Sequence, residues 1–463
     1  MTTGALWIPI IWTALAASKM ASQWLGMAPH TVSAAQALDG NPLDRNVQLM
    51  LVLLGVGILV YRRERTLPVL RANLPILLFF CYGAASVVWS DFPFVAFKRW
   101  TKAVGDLVMV LVIVTEMDGT AAVKRFLARI GYLLVPLSIL LIKYYPRIGT
   151  SNRVANGSQV FLGVTSDKNM LGVVCLVFGL AAAWRIFHIV RSDARRSWGR
   201  PLIVQGVILL MVFWLFRRAN SMTSLACFVI GAGLIVATSF RWFARRPALV
   251  HVVVATALAG AALPLFLDAG GAVLSAVGRD PTLTGRTELW GEVIELSGNP
   301  LIGVGWESFW LGSRLETLWA RHWWRPNEAH NGYLEVFLNL GWTGIFLLAF
   351  VAVRGYAGAL GDLRRDPQLG GLRLAFVIVG LTYGLSEAAF RMLHPIWIMF
   401  LLGVVALPEM RPAGEIEATR DATEPPGVPH VRSFDHWKGP QRRLADGSPR
   451  GTHSRSARRS VVP

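Results

Sequence analysis

The chain has 463 residues, 54% of them hydrophobic and only 16% charged. Soluble domains carry about 25% charged residues, so the balance excludes an ordinary soluble enzyme and points to a membrane. The net charge of +18 acquires meaning only from where the cations fall along the chain.

About twelve apolar windows approach the roughly 20 residues that a hydrocarbon core requires. In order they are 5–25, 46–61, 75–90, 104–116, 127–144, 170–190, 201–216, 221–240, 248–267, 332–353, 372–390 and 395–408. Basic residues crowd the short connections at 62–71, 124–129, 185–200, 241–246 and 354–373. The positive-inside rule places these connections in the cytoplasm, and an even number of spans puts both termini there too. The reading is an all-α polytopic membrane protein over residues 1–408, with a retained first helix. Residues 409–463 lack apolar periodicity and are rich in Pro, Arg, Ser and Gly, the pattern of a disordered basic cytoplasmic tail.

The opposite face should be poor in cations, yet several remain near the span ends. They are Lys98, Arg99 and Lys102, then Arg153, Lys168, Arg217, Arg218, Arg286, Arg321, Arg325, Arg391 and His394. Each alone suits a snorkelling role, but together they suit a pocket for an anion such as a diphosphate. The one extended connection, 268–328 between spans 9 and 10, has helical spacing over Thr287–Ser297 and a tight "GVG" turn at Gly303–Gly305. Its tryptophans at 290, 306, 310, 319, 323 and 324 suit anchoring at the headgroup level, or stacking on sugars.

No nucleotide-binding loop or metal-ligand cluster stands out, so no cofactor, metal or nucleic-acid partner is expected. The candidate proton acceptor is His330, just before a helix whose expected N-cap is Asn331. The positive end of that helix disfavours an imidazolium, so a neutral base is expected. Asn331, Glu335 and Asn339 follow at helical spacing as one polar stripe, which suits either a wet cavity or glue between helices.

Four blocks carry a resemblance: Trp89–Trp100 ("WSDFPFVAFKRW"), Gly163–Gly172 ("GVTSDKNMLG"), Thr284–Phe309 with "TGRTELW" and "PLIGVGWESF", and Ala329–Ile345 ("AHNGYLEVFLNLGWTGI"). In this order, around one long outer loop, they resemble the O-antigen ligase and Wzy-type polymerase superfamily, closest to its exopolysaccharide-polymerase branch. The resemblance implies a GT-C-like helical bundle in the bacterial inner membrane. It implies transfer of glycan from undecaprenyl diphosphate to an acceptor glycan or lipid at the periplasmic face, alongside export machinery. It makes His330 and Arg286 catalytic and Arg217 or Arg218 a binding residue; the misplaced cations add Arg99, Lys98, Arg153 and Lys168 to the expected binding residues, and the polar stripe adds Asn331 and Glu335. The text "RRANSMTSL" displaces the arginine that the family carries in a related segment.

The chemistry is self-consistent, because a lipid diphosphate is already a good leaving group. Oriented cations stabilise its developing charge, and a positioned base takes the acceptor's proton. One displacement inverts the anomeric carbon. Polymerisation of repeat units is the favoured reading over ligation to lipid A core or protein. A secondary transporter would show two related halves, and the sequence shows none.

Overall fold

The computed structural model describes residues 2–27, 40–152, 157, 159–191, 199–266 and 282–406. The basic tail lies outside the described residues, as do Arg153 and the first part of the long connection, 268–281. The first half contains α1 (Trp7–Ala16), α2 (Pro42–Tyr61), α3 (Arg63–Ala72), α4 (Leu74–Ser86), α5 (Pro93–Val114), α6 (Gly119–Tyr144) and α7 (Lys168–Arg191). A small hairpin, Thr150–Asn152 with Gln159–Phe161, sits between the last two. The second half contains α8 (Gly199–Ala219), α9 (Met222–Ser239), α10 (Arg241–Ala244), α11 (Pro247–Phe266), α12 (Thr282–Glu295) and α13 (Gly312–Arg321). It closes with α14 (Gly332–Arg365), α15 (Pro367–Tyr383) and α16 (Pro395–Val404).

Short polar side chains start these helices by accepting otherwise orphaned N–H groups. Asn41 caps α2, Asp118 caps α6, Asp167 accepts from Met170 N, and Asp366 accepts from Gln368 N and Leu369 N. Asn331 caps α14 through Tyr333 N and Leu334 N, as its position in the sequence predicts.

Each of the twelve apolar windows contains a helix, and the protein is an all-α, multi-pass membrane protein. By length and composition, fewer helices qualify as full spans than the twelve expected. Among the described residues six are long and apolar enough to cross, α2, α6, α7, α8, α9 and α14, and a seventh arises if α3 and α4, bent by 86°, count as one. The remainder differ for physical reasons. α1, α11 and α16 have short apolar stretches, and α5 carries Lys98, Arg99, Lys102 and Asp106. A helix enclosed by its neighbours need not satisfy lipid along its whole length. α16 is the extreme case: all its residues are buried, against α5, α7, α14 and α15.

The basic connections gather at one end of the bundle. There Arg62 pairs with buried Glu116 at 2.6 Å, Lys124 Nζ lies 3.0 Å from His188 Nε2, and Arg191 donates to Ser239 O. The other end gathers the segments around 163–167, 303–310, 328–331 and 384–394.

At that second end α14 is broken. Gly341 has φ 65° and ψ −165°, and the 300–305 loop sits in the gap. Trp342 N donates to Pro300 O, Thr343 N to Leu301 O, Val304 N to Leu338 O and Gly305 N to Asn339 O, at 2.9–3.1 Å. The backbone groups freed by the break are thereby paired, the condition for irregular chain at membrane depth. Only glycine fits this junction: a Cβ on Gly341 would lie 2.3 Å from Leu301 C.

Above the break, Leu289, Val293, Val304, Phe309, Trp310, Leu315 and Leu318 form a second, smaller core. The described part of the long connection is thus an ordered cap. Its tryptophans mostly face inward, which corrects the anchoring role. Trp306 and Trp310 are buried, Trp290 donates to Ala329 O and Trp319 to Pro326 O, while Trp323 and Trp324 are exposed. A buried indole N–H needs an acceptor, and this cap supplies carbonyls for Trp290 and Trp319.

Candidate active site

His330 ends the connection before α14 with φ 50°, an uncommon conformation for a side chain of its size. Its Nδ1 lies 3.0 Å from Glu328 Oε1 and 3.1 Å from Glu387 Oε2. Glu328 Oε2 accepts from Arg391 Nη1 at 2.8 Å. Glu387 Oε1 accepts from Arg286 Nη2 at 3.3 Å, while Arg286 Nη1 donates to Ser386 O at 2.8 Å. A cavity of about 550 Å³ opens beside them, lined by Asp167, Glu328, His330, Glu387, Arg391 and His394 among others.

The electrostatics overturn the expected neutral imidazole. Burial works against the charged form of His330, but hydrogen bonds and charge from Glu328 and Glu387 outweigh it and raise the pKa to about 9. Two carboxylates in contact exceed the fraction of a charge at a helix N-terminus. Burial also opposes the Glu328 carboxylate, yet His330 and Arg391 hold it down at about 2. For Arg391, burial is overcome by Glu307, Glu328 and Glu335, and its pKa is raised. Burial and the Arg391 charge keep His394 neutral, near 4. Burial raises the Asp167 carboxyl, with Glu328 and Glu387 adding to the effect. At neutral pH three cations, Arg286, His330 and Arg391, thus face two carboxylates, Glu328 and Glu387.

Arg391 is among the cations expected at this face, whereas Glu387, Glu328 and Asp167 carry no local pattern that marks them as site residues. Glu387 falls near the end of the apolar window 372–390, and Arg391 directly follows it. The structure instead ends α15 at Tyr383 and runs irregularly to α16. Gly384 O accepts from Gly332 N at 2.7 Å, tying this segment to the start of α14. Asp106 in α5 pins its far end, accepting from Leu393 N and from Trp12 Nε1 at 2.8 Å each. Asp167 stands within the Gly163–Gly172 block, and Glu328 directly precedes the Ala329–Ile345 block. The available signal was the spacing Glu328-x-His330, together with an acid and an arginine bordering one apolar run.

The other expected site residues are dispersed. Arg99 and Lys98 lie in a groove of about 250 Å³ between α2 and α5, together with Arg45 and Lys102. Its walls include Leu49, Val52, Phe94 and Phe97. Arg99 also donates to Glu307 O, in the turn that leads to the cap. Lys168 opens α7 beside Asp167 and is half-buried. Arg217 and Arg218 are exposed at the end of α8, where Arg218 lies over Phe161 and Trp214 at 5.0 and 5.1 Å. Asn331 uses its carbonyl oxygen as the helix cap. Glu335 accepts from Trp310 Nε1 at 2.9 Å and from Ala329 N at 2.5 Å, and Asn339 accepts from Ser308 N and Phe309 N. The polar stripe therefore holds the cap on α14, which decides between the two readings of it.

Glu328, His330 Nδ1 and Glu387 place their ligand atoms within 4.8 Å of one another, a spacing open to a metal ion. Arg391 and Arg286 already sit on the same carboxylates, and their charge opposes a dication there.

An all-α, multi-pass membrane protein with a cationic, histidine-bearing cavity is the class that fold and site define. Residues 206–349 match the O-antigen ligase family, in agreement with the resemblance carried by the sequence blocks. The chain is 26% identical over 309 residues to the exopolysaccharide production protein ExoQ of Rhizobium meliloti (strain 1021), covering 63% of this chain and 67% of that one. The family match takes in Arg286, His330 and the α14 break. Glu387 and Arg391 lie beyond it.

Proposed function

We propose that this protein polymerises oligosaccharide repeat units, taking them from undecaprenyl diphosphate by a single inverting displacement at the periplasmic face of the inner membrane. The observation that carries this reading is His330, held at Nδ1 by Glu328 and Glu387 beside a cavity that also contains Arg391. In the neutral form of the imidazole, the minor one at pH 7, the carboxylates keep the proton on Nδ1 and leave Nε2 to accept one. The acceptor hydroxyl loses its proton to Nε2 as its oxygen bonds to the anomeric carbon. The bond from that carbon to the diphosphate oxygen breaks, and the diphosphate leaves with the electron pair. Arg391 stabilises the charge on it. Arg286 holds Ser386 and Glu387 in place and adds a second cation.

The groove between α2 and α5 supports the lipid part of the proposal. Arg45, Lys98, Arg99 and Lys102 line it beside apolar walls, a combination that suits an anionic diphosphate carried on a polyprenyl chain. The similarity to an exopolysaccharide production protein favours polymerisation over ligation.

The test is chain growth in proteoliposomes supplied with a synthetic undecaprenyl-diphosphate oligosaccharide. Ladders of lengthened product are expected. Transfer to a lipid A core acceptor without lengthening would make the protein a ligase, and uptake of sugar without transfer would remove the enzymatic reading. Arg286→Ala is expected to lower transfer by about 100-fold or more while insertion persists, the size typical of lost oriented cationic stabilisation. Near-normal product would refute its role.

A further inference from the structure

The largest of the described cavities lies at the other end of the bundle from His330. It measures about 630 Å³ and sits where α7 and α9 end and α15 begins. We propose that it binds the phosphodiester headgroup of an anionic membrane lipid, an inference independent of glycan transfer.

Cations reach the cavity from three elements: Arg191 from the last turn of α7, Arg241 from α10 and Arg365 from the end of α14. Lys124 of α6 stands just behind, 3.0 Å from His188, which itself lines the cavity. Among the described residues, the acids that act on this group are Asp118 and Asp366; both cap helices, and Asp366 also lines the cavity. Arg191, Arg241 and Lys124 outnumber these two carboxylates, a balance that suits a phosphodiester.

The rim argues for a lipid rather than a soluble anion. Beside the arginines, Val190, Phe240 and Trp242 are 43%, 48% and 60% exposed. Arg191 lies 4.3 Å over the Phe240 ring and Arg246 4.8 Å over Trp242, the pairing of aromatic and cation found at headgroup depth. Phosphate oxygens would meet the arginines while acyl chains cover this apolar rim. Basic pockets between spans on the positively charged side are a known mode of headgroup recognition.

The experiment titrates the purified full-length protein in neutral detergent with fluorescent phosphatidylglycerol, using phosphatidylcholine and inorganic phosphate as competitors. Saturable binding that resists both competitors is expected. Arg191→Gln with Arg241→Gln should weaken it by about tenfold or more, while Arg63→Gln with Arg71→Gln, exposed on α3 and outside the cavity, should weaken it far less. Unchanged affinity in the first pair, equal loss in the second, or full displacement by phosphatidylcholine overturns the proposal. Displacement by millimolar phosphate identifies a soluble phosphate as the ligand and overturns the lipid assignment. One readout needs no variant: phosphatidylglycerol should raise the Tm of the wild-type protein and phosphatidylcholine should not, and equal effects refute the site.

Discussion

His330 carries the sharpest prediction at the scale of a single residue. With its pKa at about 9, only about 1% of the imidazole is neutral at pH 7. If it is the base, kcat/KM should climb roughly tenfold per pH unit from 7 and level off above about 9. Glu387→Gln removes one of the two flanking charges, so the rise should move to lower pH. A rate that instead falls as pH passes 9 would show that the imidazolium is the working form, a cation for the diphosphate. His330→Ala should lower kcat more than donor affinity, and collapse of donor binding would make it a binding residue. The sequence could place a histidine at a helix mouth and name the cap beside it. It could not set the charge, because the helix end is local while Glu387 is 57 residues away.

The same pair links pH to stability. His330 has a raised pKa, so its contribution is complete below about 6.5 and is lost as pH rises through about 9. Glu328 has a lowered pKa, so its contribution is complete above about 4.5 and is lost as pH falls through about 2. The Tm should therefore be highest, as far as this pair is concerned, between about pH 4.5 and 6.5. His330→Gln should flatten the alkaline decline, and an unchanged alkaline limb would show that the pair is uncoupled from folding.

At the scale of elements, the break in α14 is the feature on which the cap depends. The string "LNLGWTGI" reads as continuous apolar helix, since a glycine is common in a span and its φ is invisible in the sequence. Contact with the 300–305 loop, some 40 residues earlier, makes Gly341 adopt φ 65°. Gly341→Ala combines strain at that φ with a clash against Leu301, and should destabilise by about 1–3 kcal/mol. A scanning Tm measurement in detergent checks it, and an unchanged Tm would mean that the loop does not need the break. Glu335 and Asn339 were legible as a stripe. Their job, gripping Trp310 and the backbone of Ser308 and Phe309, was not, because their partners lie on the cap.

For the whole molecule, the structure separates two cationic regions at opposite ends of one bundle. If the basic connections face the cytoplasm, the cap must face the periplasm. In a Cys81→Ser background, which removes the exposed cysteine, Trp323→Cys on the cap should react in intact cells with a membrane-impermeant maleimide. Trp242→Cys should react only after permeabilisation. The reverse pattern would invert the topology and move the proposed transfer to the other face.

Composition and charge distribution determined by themselves that the chain is a helical membrane protein with an uneven pair of faces. Hydrophobic runs and the clustering of arginine are properties of neighbouring residues, so no fold is needed to read them. The sequence blocks also sufficed to indicate the family resemblance, and Asn331 to mark the start of α14. Tertiary structure decided which of the twelve windows hold helices long enough to cross, where α14 breaks, and that Glu387 and Arg391, at the end of an apolar run, join His330. Each of these depends on groups far apart in the chain, whose burial and charge act on one another only after the helices have packed.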